Sequence, residues 1–258
     1  MKFKTKLLAV ALALAAASGA NAATINNGSG GNGGLFFNIW DATGSYTRNL
    51  GTDLISFETL VAGGAANLSY AADTTLTGWI TGKSSFNWNI MAVDFQGAKR
   101  VLQTANSAAT LTAKATNVVT TASSQTNALV TAINSKLASA NSATYTTADT
   151  GYVGKAAGGV TTINANIGWT TAALGTQANT SFASGLVLKE ALANASGTLV
   201  VPILAMNAST HAYFDAANTL HIEAVQVPAI PEPETYALML AGLGMLGFMA
   251  RRRLSNNA

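Results

Sequence analysis

Cysteine is absent from the 258-residue chain, and charged residues make up only 10% of it. Without cysteine the chain cannot form disulfides, thiolate nucleophiles, or zinc and iron–sulfur sites with cysteine ligands. Its charged fraction is far below the roughly 25% of an ordinary soluble domain, which argues against the surface of a cytosolic enzyme. Only two histidines are present, so there is little material for histidine-based metal or acid–base sites. We therefore expect no bound metal and no cofactor.

The formal net charge of +3 comes from the two ends of the chain. Six of the fourteen basic residues stand there: Lys2, Lys4, Lys6, Arg251, Arg252 and Arg253. Between residues 23 and 231, eight Lys and Arg face nine Asp and Glu, which makes the central part about −1. Because no basic stripe is available to neutralise successive phosphates, nucleic acid is not an expected partner.

Residues 1–22 have the three parts of a secretory signal peptide. A basic start is followed by an apolar run over residues 7–17 and then by small residues that include Ala20 and Ala22. The apolar run is too short to cross a hydrocarbon core about 30 Å thick, and it lacks the polar face of a helix packed on a protein core. We predict that signal peptidase cuts before Ala23.

Three unlike elements follow one another at the C-terminus. They are the motif Pro231-Glu232-Pro233-Glu234, an apolar run from Tyr236 to Ala250, and the cluster Arg251-Arg252-Arg253. The prolines keep the entry extended, the apolar run is slightly short for a membrane span, and the arginines would anchor it on the cytoplasmic side.

This order of elements closely resembles the PEP-CTERM sorting signal of Gram-negative bacteria. The resemblance implies a membrane-embedded exosortase that recognises Pro231-Glu232-Pro233, cuts near it and sends the body to the cell surface or the exterior. The transmembrane helix and the arginine cluster would then be discarded, so contact with the membrane is transient. The alternative is an ordinary tail anchor that stays in the inner membrane.

The chain thus divides into four parts by composition. A signal peptide (1–22) precedes a flexible Gly- and Asn-rich lead-in (23–34), a body domain (35–227) and the sorting signal (228–258).

The body shows β patterns at both of its ends. Leu35 to Leu50 reads as a β-hairpin around the turn formers 41–44, and a second hairpin is predicted from runs 212–214 and 219–225. Further strands are predicted at 78–81, 86–95 and 199–206.

A different composition in the middle of the body favours helices. Residues 107–142 contain no Gly or Pro, and their aliphatic side chains recur at three- and four-residue steps: Leu111, Ala115, Val118, Ala122, Val130, Ile133 and Leu137. A second helix is predicted at 183–195. The fold class is therefore α+β, with a mainly antiparallel, sandwich-like β core and an inserted Ala/Thr-rich helical segment, besides a signal helix and a C-terminal transmembrane helix.

Chemistry-bearing residues are sparse. His221 and Glu223 share one face of a predicted strand and form the nearest approach to a catalytic or metal pair, but no third ligand can be named. Most carboxylates stand beside turn formers, and no nucleophile elbow, phosphate loop or calcium loop is present. We expect a protein without enzymatic activity.

The aromatic residues allow two interpretations, which are core packing and stacking on sugar rings. They are Trp40, Trp79, Trp88, Trp169, Tyr46, Tyr70, Tyr145 and Tyr152. Core packing is favoured, although an uncharged surface rich in amides and hydroxyls suits contact with neutral glycans. With the family resemblance, the expected function is a structural or adhesive protein of an exopolysaccharide matrix, biofilm or floc. The alternative is a secreted glycan-binding protein or glycoside hydrolase, for which the folded positions of Asp41, Asp94, Asp215 and Glu223 are decisive.

Overall fold

Both hairpins predicted from the sequence are present in the computed structural model. The structure describes residues 24–63, 66–97, 99–106, 115–137, 140–168, 174–193 and 210–224. The chain divides into two units, Met1–Val225 and Gln226–Ala258, and every described residue belongs to the first.

Strands and helices alternate irregularly along the described chain. The strands are β1 (Gly34–Asp41), β2 (Gly44–Asp53), β3 (Asn67–Tyr70), β4 (Asn87–Asp94), β5 (Arg100–Ala105), β6 (Ser142–Thr146), β7 (Gly175–Thr176), β8 (Leu186–Leu192), β9 (Thr210–Phe214) and β10 (Leu220–Ala224). The helices are α1 (Leu54–Ala62), α2 (Thr74–Ile80), α3 (Thr116–Leu137) and α4 (Val160–Ile167).

The strands form one sheet in the order β3-β10-β9-β8-β5-β4-β1-β2-β6, and the short β7 pairs with β4. All of the observed strand pairs are antiparallel. The expectation of a mainly antiparallel β core is thereby confirmed.

The sheet curls into a half-barrel. Phe37 on β1 and Phe214 on β9 are separated by three intervening strands, so a flat sheet would place them about 19 Å apart at ~4.8 Å per strand. Their ring centroids lie only 5.6 Å apart. The two rings therefore meet across the concave side, where Trp88 also packs against Phe37 at 6.1 Å.

Each face of the curved sheet carries its own hydrophobic core. The alternation along β1 sends Leu35, Phe37 and Ile39 to the concave core, while Phe36 and Trp40 face the convex one. Helices α1 and α2 cover the concave core, and α3 and α4 cover the convex core.

Two aspartates start the helices of the concave side. Asp53 accepts a hydrogen bond from the backbone N–H of Ser56 and begins α1, and Asp73 accepts one from Leu76 and begins α2. The Tyr46 hydroxyl on β2 also donates to Asp73 at 2.8 Å, which attaches the start of α2 to the sheet.

The inserted helical segment is present as the single helix α3. Its buried face includes Ala122, Val130, Ile133 and Leu137, as predicted, but runs through Val119 instead of Val118. The first part of the predicted segment, residues 107–114, lies outside the described residues.

Two predicted elements are wrong. Residues 78–80, predicted as a strand, form the end of α2, because the cap at Asp73 starts a helix that continues to Ile80. The predicted helix at 183–195 contains the strand β8 instead. This strand lies between β5 and β9 and is largely buried on both faces, so its sequence lacks the alternation of a half-exposed strand. The strand predicted at 199–206 lies outside the described residues.

The segment predicted as a flexible lead-in contacts the body. The backbone N–H of Ile25 donates to Asn134 Oδ1 at 2.9 Å, and Asn134 Nδ2 donates back to the Ile25 carbonyl at 2.7 Å. Gly28 has φ +74°, and a Cβ there would lie 2.2 Å from the Val93 carbonyl oxygen. This close approach requires glycine.

No helix in the described ranges is both long and apolar enough to cross a membrane. The predicted signal helix (1–22) and the C-terminal transmembrane helix (236–250) lie outside those ranges.

Candidate functional site

Three open pockets lie at the end of the half-barrel that carries the β1–β2 and β9–β10 turns. Their volumes are about 320, 520 and 510 Å³. The first shares Phe86 and Gln177 with the second, and Lys83 with the third. Because they have these walls in common, we treat them as one surface and call it the turn-end groove.

An ion pair stands in the centre of the turn-end groove. Lys83 Nζ lies 2.6 Å from Asp41 Oδ2 and 2.8 Å from Thr43 Oγ1. Burial raises the pKa of Asp41, but hydrogen bonds from Lys83 and Thr43 outweigh it and hold the pKa below its ordinary value. Asp41 is therefore an ionised partner of Lys83 and is unsuited to donating a proton.

Aromatic side chains border the same groove. The Lys83 ammonium lies 4.2 Å from the ring centroid of Trp79, within range of a cation–π contact. Phe86 packs edge-on against Phe214 at 6.0 Å, which places apolar surface beside the hydroxyl and amide groups of the rim.

Asp215 connects the groove to the outer face of β10. It accepts hydrogen bonds from the backbone N–H groups of Ala217 and Thr219, and its Oδ2 lies 3.0 Å from His221 Nε2. Burial raises the pKa of Asp215, while these hydrogen bonds outweigh it and lower the pKa overall.

The predicted pair His221 and Glu223 does lie together. His221 Nδ1 is 3.5 Å from Glu223 Oε1, and the ring stacks on Tyr213 at 4.7 Å. The Tyr213 hydroxyl donates to Glu223 at 3.0 Å; burial and this carboxylate raise the pKa of Tyr213 to about 12. The contact with Asp215 has no signal in the sequence, because the hairpin turn brings this residue to His221. The other histidine, His211, is on β9 and stacks on Phe182 at 4.4 Å.

A second charged cluster, absent from the sequence prediction, gathers around Arg100. Its guanidinium reaches Glu58 at 2.5 Å, Asp94 at 3.1 Å and Glu190 at 3.4 Å. Burial, and next the negative charge of Glu58, raise the pKa of Glu190 to about 7. The four residues come from α1, β4, β5 and β8, so no spacing rule could have joined them.

Core packing is confirmed for most of the aromatic residues considered above. Trp40, Trp88, Tyr46, Tyr70, Tyr145 and Tyr152 are buried. Trp79 is only partly buried and lines the turn-end groove. Trp169 lies outside the described residues.

No group of three or more His, Asp or Glu side chains suited to holding a metal ion occurs in the part of the chain that the structure describes. The predicted signal peptidase site at Ala20 and Ala22 lies outside that part, as do Pro231–Glu234 and Arg251–Arg253.

The comparison with protein families bears on the C-terminal region. A family model described as the PEP-CTERM protein-sorting motif matches residues 229–253. The chain carries a PEP-CTERM sorting signal. The match includes the motif Pro231–Glu234 and the cluster Arg251–Arg253, and it supports the sequence-based identification of an exosortase substrate. No curated protein and no solved structure matches the chain.

The PEP-CTERM signal indicates an exported protein that an exosortase sorts to the cell surface or the exterior. The sorting signal covers only the end of the chain. The residues of the half-barrel therefore carry the information on what the body does after export.

Proposed function

We propose that this protein is a non-enzymatic structural or adhesive component of an extracellular polysaccharide matrix, to which an exosortase delivers it. The observation that carries the proposal is the PEP-CTERM signal at residues 229–253, placed directly after a folded body. In this proposal, signal peptidase removes residues 1–22, and the C-terminal helix holds the chain in the inner membrane until the exosortase acts.

The groove chemistry supports a binding role. Among the described residues that line the groove, the charged ones are Asp41, Lys83 and Asp215, and each has a partner of opposite charge or a backbone donor. The remaining polar lining consists of hydroxyl and amide groups, which suit the hydroxyl groups of neutral glycans better than they suit charged ligands.

The main alternative, a glycoside hydrolase, needs a protonated carboxyl group beside a carboxylate in an open cleft. Asp41 and Asp215 line the groove, but their lowered pKa values leave both ionised and unable to donate a proton. Glu190 has the raised pKa of a general acid, yet it is only 7% exposed and lies beside Arg100. These properties favour the non-enzymatic proposal.

The sorting step is tested by replacing Pro231, Glu232 and Pro233 together with alanine in the full-length chain. We expect this variant to accumulate in the inner membrane, whereas the unmodified chain reaches the matrix fraction or the medium. Pro228→Ala, just outside the matched region, is the control and should sort normally. Fractionation followed by intact-mass measurement reads the result.

The proposal would be overturned if the triple variant reached the matrix fraction or the medium normally, with the mass of the unmodified product. The C-terminal tail would then be one that ordinary proteolysis removes. Release of reducing ends from matrix polysaccharide by the purified exported protein would instead favour the hydrolase alternative.

A further inference from the structure

We propose that the turn-end groove is a binding site for a neutral polysaccharide chain, with Trp79 and Gln177 among its contact residues. This inference rests on the proposed matrix function and names the site through which the body would attach to the matrix.

The shape of the groove suits an extended ligand. The three pockets are joined through Lys83, Phe86 and Gln177. Their combined volume is far larger than that of one monosaccharide. All three are open to solvent, so a long chain can lie across them without having to thread an end into a closed cavity. A polymer bound in this way remains continuous on both sides of the protein.

The charge distribution selects against a charged polymer. Lys83 is held between Asp41, Thr43 and the ring of Trp79, so its ammonium group is already engaged. An anionic polysaccharide would therefore find no uncommitted cation among the described residues that line the groove. A cationic one would have to compete with Lys83 for Asp41 and with backbone donors for Asp215.

Neutral hydroxyl and amide groups are what the groove still offers. Gln177 is exposed and lines two of the pockets, and a side-chain amide both donates to and accepts from sugar hydroxyls. Thr144 and Thr146 bring further hydroxyl groups to the third pocket. Such groups form many weak hydrogen bonds, which a repeating polymer can use along its length.

Trp79 supplies the apolar contact that a sugar ring needs. The C–H face of a pyranose packs on an aromatic surface, and Trp79 is the partly exposed tryptophan that lines this groove. The Lys83 ammonium lies over one face of the ring, 4.2 Å from its centroid, and restrains the indole, so a sugar ring would use the part of the ring that stays exposed. An ordered platform loses less conformational entropy on binding than a mobile one.

The test measures binding of the exported protein, recovered from the cells, to three defined polymers by affinity electrophoresis. Dextran and hydroxyethyl cellulose are the neutral probes, and alginate is the anionic one. We expect retardation by at least one neutral probe and none by alginate. Trp79→Ala and Gln177→Ala should each weaken that binding by roughly five- to tenfold, equivalent to about 1 to 1.4 kcal/mol.

Asn117→Ala is the matched control for the lost amide, because Asn117 is exposed on α3 and lies outside the three pockets. It should bind like the unmodified protein. Trp79→Phe retains an aromatic surface and should recover part of the affinity. If Trp79→Ala unfolds, as judged by circular dichroism, Gln177→Ala carries the test alone.

Equal binding by Gln177→Ala and the unmodified protein, or stronger retardation by alginate than by the neutral probes, would overturn the groove assignment. Absence of binding to all three polymers by a correctly sorted protein would also overturn it, and would leave the exosortase-dependent delivery intact. The replacement of Pro231, Glu232 and Pro233 with alanine tests the proposed delivery separately, because it measures sorting and not binding.

Discussion

Glu190 and Arg100 lie 3.4 Å apart, from Oε1 to Nη1, on the neighbouring strands β8 and β5. The same guanidinium also contacts Glu58 and Asp94, so three carboxyl groups share one cation. If all three were ionised, the cluster would carry a formal charge of −2 in a largely buried place. Holding a proton on Glu190 reduces this excess, in agreement with its raised pKa of about 7.

The first prediction concerns pH. The pKa of Glu190 in the folded state is about 7, above its ordinary value of 4.5. At a pH between these two values, folding is therefore accompanied by the uptake of a proton. The stability that this group contributes is fully present below about pH 4.5 and is lost as the pH rises through 7. Glu190→Gln should remove this dependence and raise the midpoint of thermal unfolding above pH 7 by a few degrees.

Thermal unfolding of the exported protein between pH 4 and 8 measures this effect. Glu223→Gln is the control, because Glu223 lies on β10 outside the Arg100 cluster. Parallel pH profiles for Glu190→Gln and the unmodified protein would contradict the assignment.

The second prediction is that Arg100→Met destabilises the protein by about 3 kcal/mol. Removing the cation leaves Glu58, Asp94 and Glu190 facing one another without compensation, and breaking a buried ion pair typically costs ~3–5 kcal/mol. Urea unfolding at pH 7 measures the change. It should be smaller at pH 4.5, where Glu190 carries a proton, and an equal loss at both pH values would indicate a packing effect.

The third prediction tests the curl of the sheet. Phe214→Ala removes a ring that is 4% exposed and packs on both Phe37 and Phe86. We expect a loss of about 3–5 kcal/mol in the free energy of unfolding. Ile55→Ala, whose side chain belongs to a residue that is 51% exposed, should change it by less than about 0.5 kcal/mol. Similar effects of the two substitutions would argue against the contact across the concave side.

The fourth prediction is that the exported protein begins at Ala23. The small residues Ala20 and Ala22 are of the type that signal peptidase accepts before its cut. N-terminal sequencing reads the result directly. Retention of Met1 or Lys2 in exported material would rule out this cleavage, and Ala22→Phe should slow it.

Local signals account for the parts of the fold that could be predicted. In β1–β2 and in β9–β10, both strands and their turn lie within about twenty residues, so alternation and turn formers suffice. Strand β8 escapes prediction because it contributes side chains to both cores, Leu186 and Leu188 to the concave one and Ala191 to the convex one, so that it lacks a polar alternation. The start of α2 depends on the cap at Asp73, a single residue whose signal is weaker than that of the β-favouring Trp79 and Ile80 at the other end of the helix.

The charged clusters also show that local sequence patterns predict contacts between near neighbours in the chain but not between distant residues. His221 and Glu223 are two residues apart on one strand, so the sequence could place them on one face. Arg100 and Glu58 are 42 positions apart and meet only because α1 folds onto the concave side of the sheet. The turn-end groove is likewise assembled from α2, strand ends and loops that are distant in the chain, and two of its described residues, Trp79 and Tyr145, belong to the aromatic set with a possible sugar contact.

The position of β10 in the sheet has a mechanical consequence for export. Six residues separate its last residue, Ala224, from Pro231, and β10 is hydrogen-bonded to β9 on one side and to β3 on the other. Tension applied through the C-terminal tail along this strand loads both ladders in shear, so their hydrogen bonds must yield together instead of peeling one at a time. If the tail is held at the membrane during processing, as we propose, we expect it to bear force while the half-barrel stays folded.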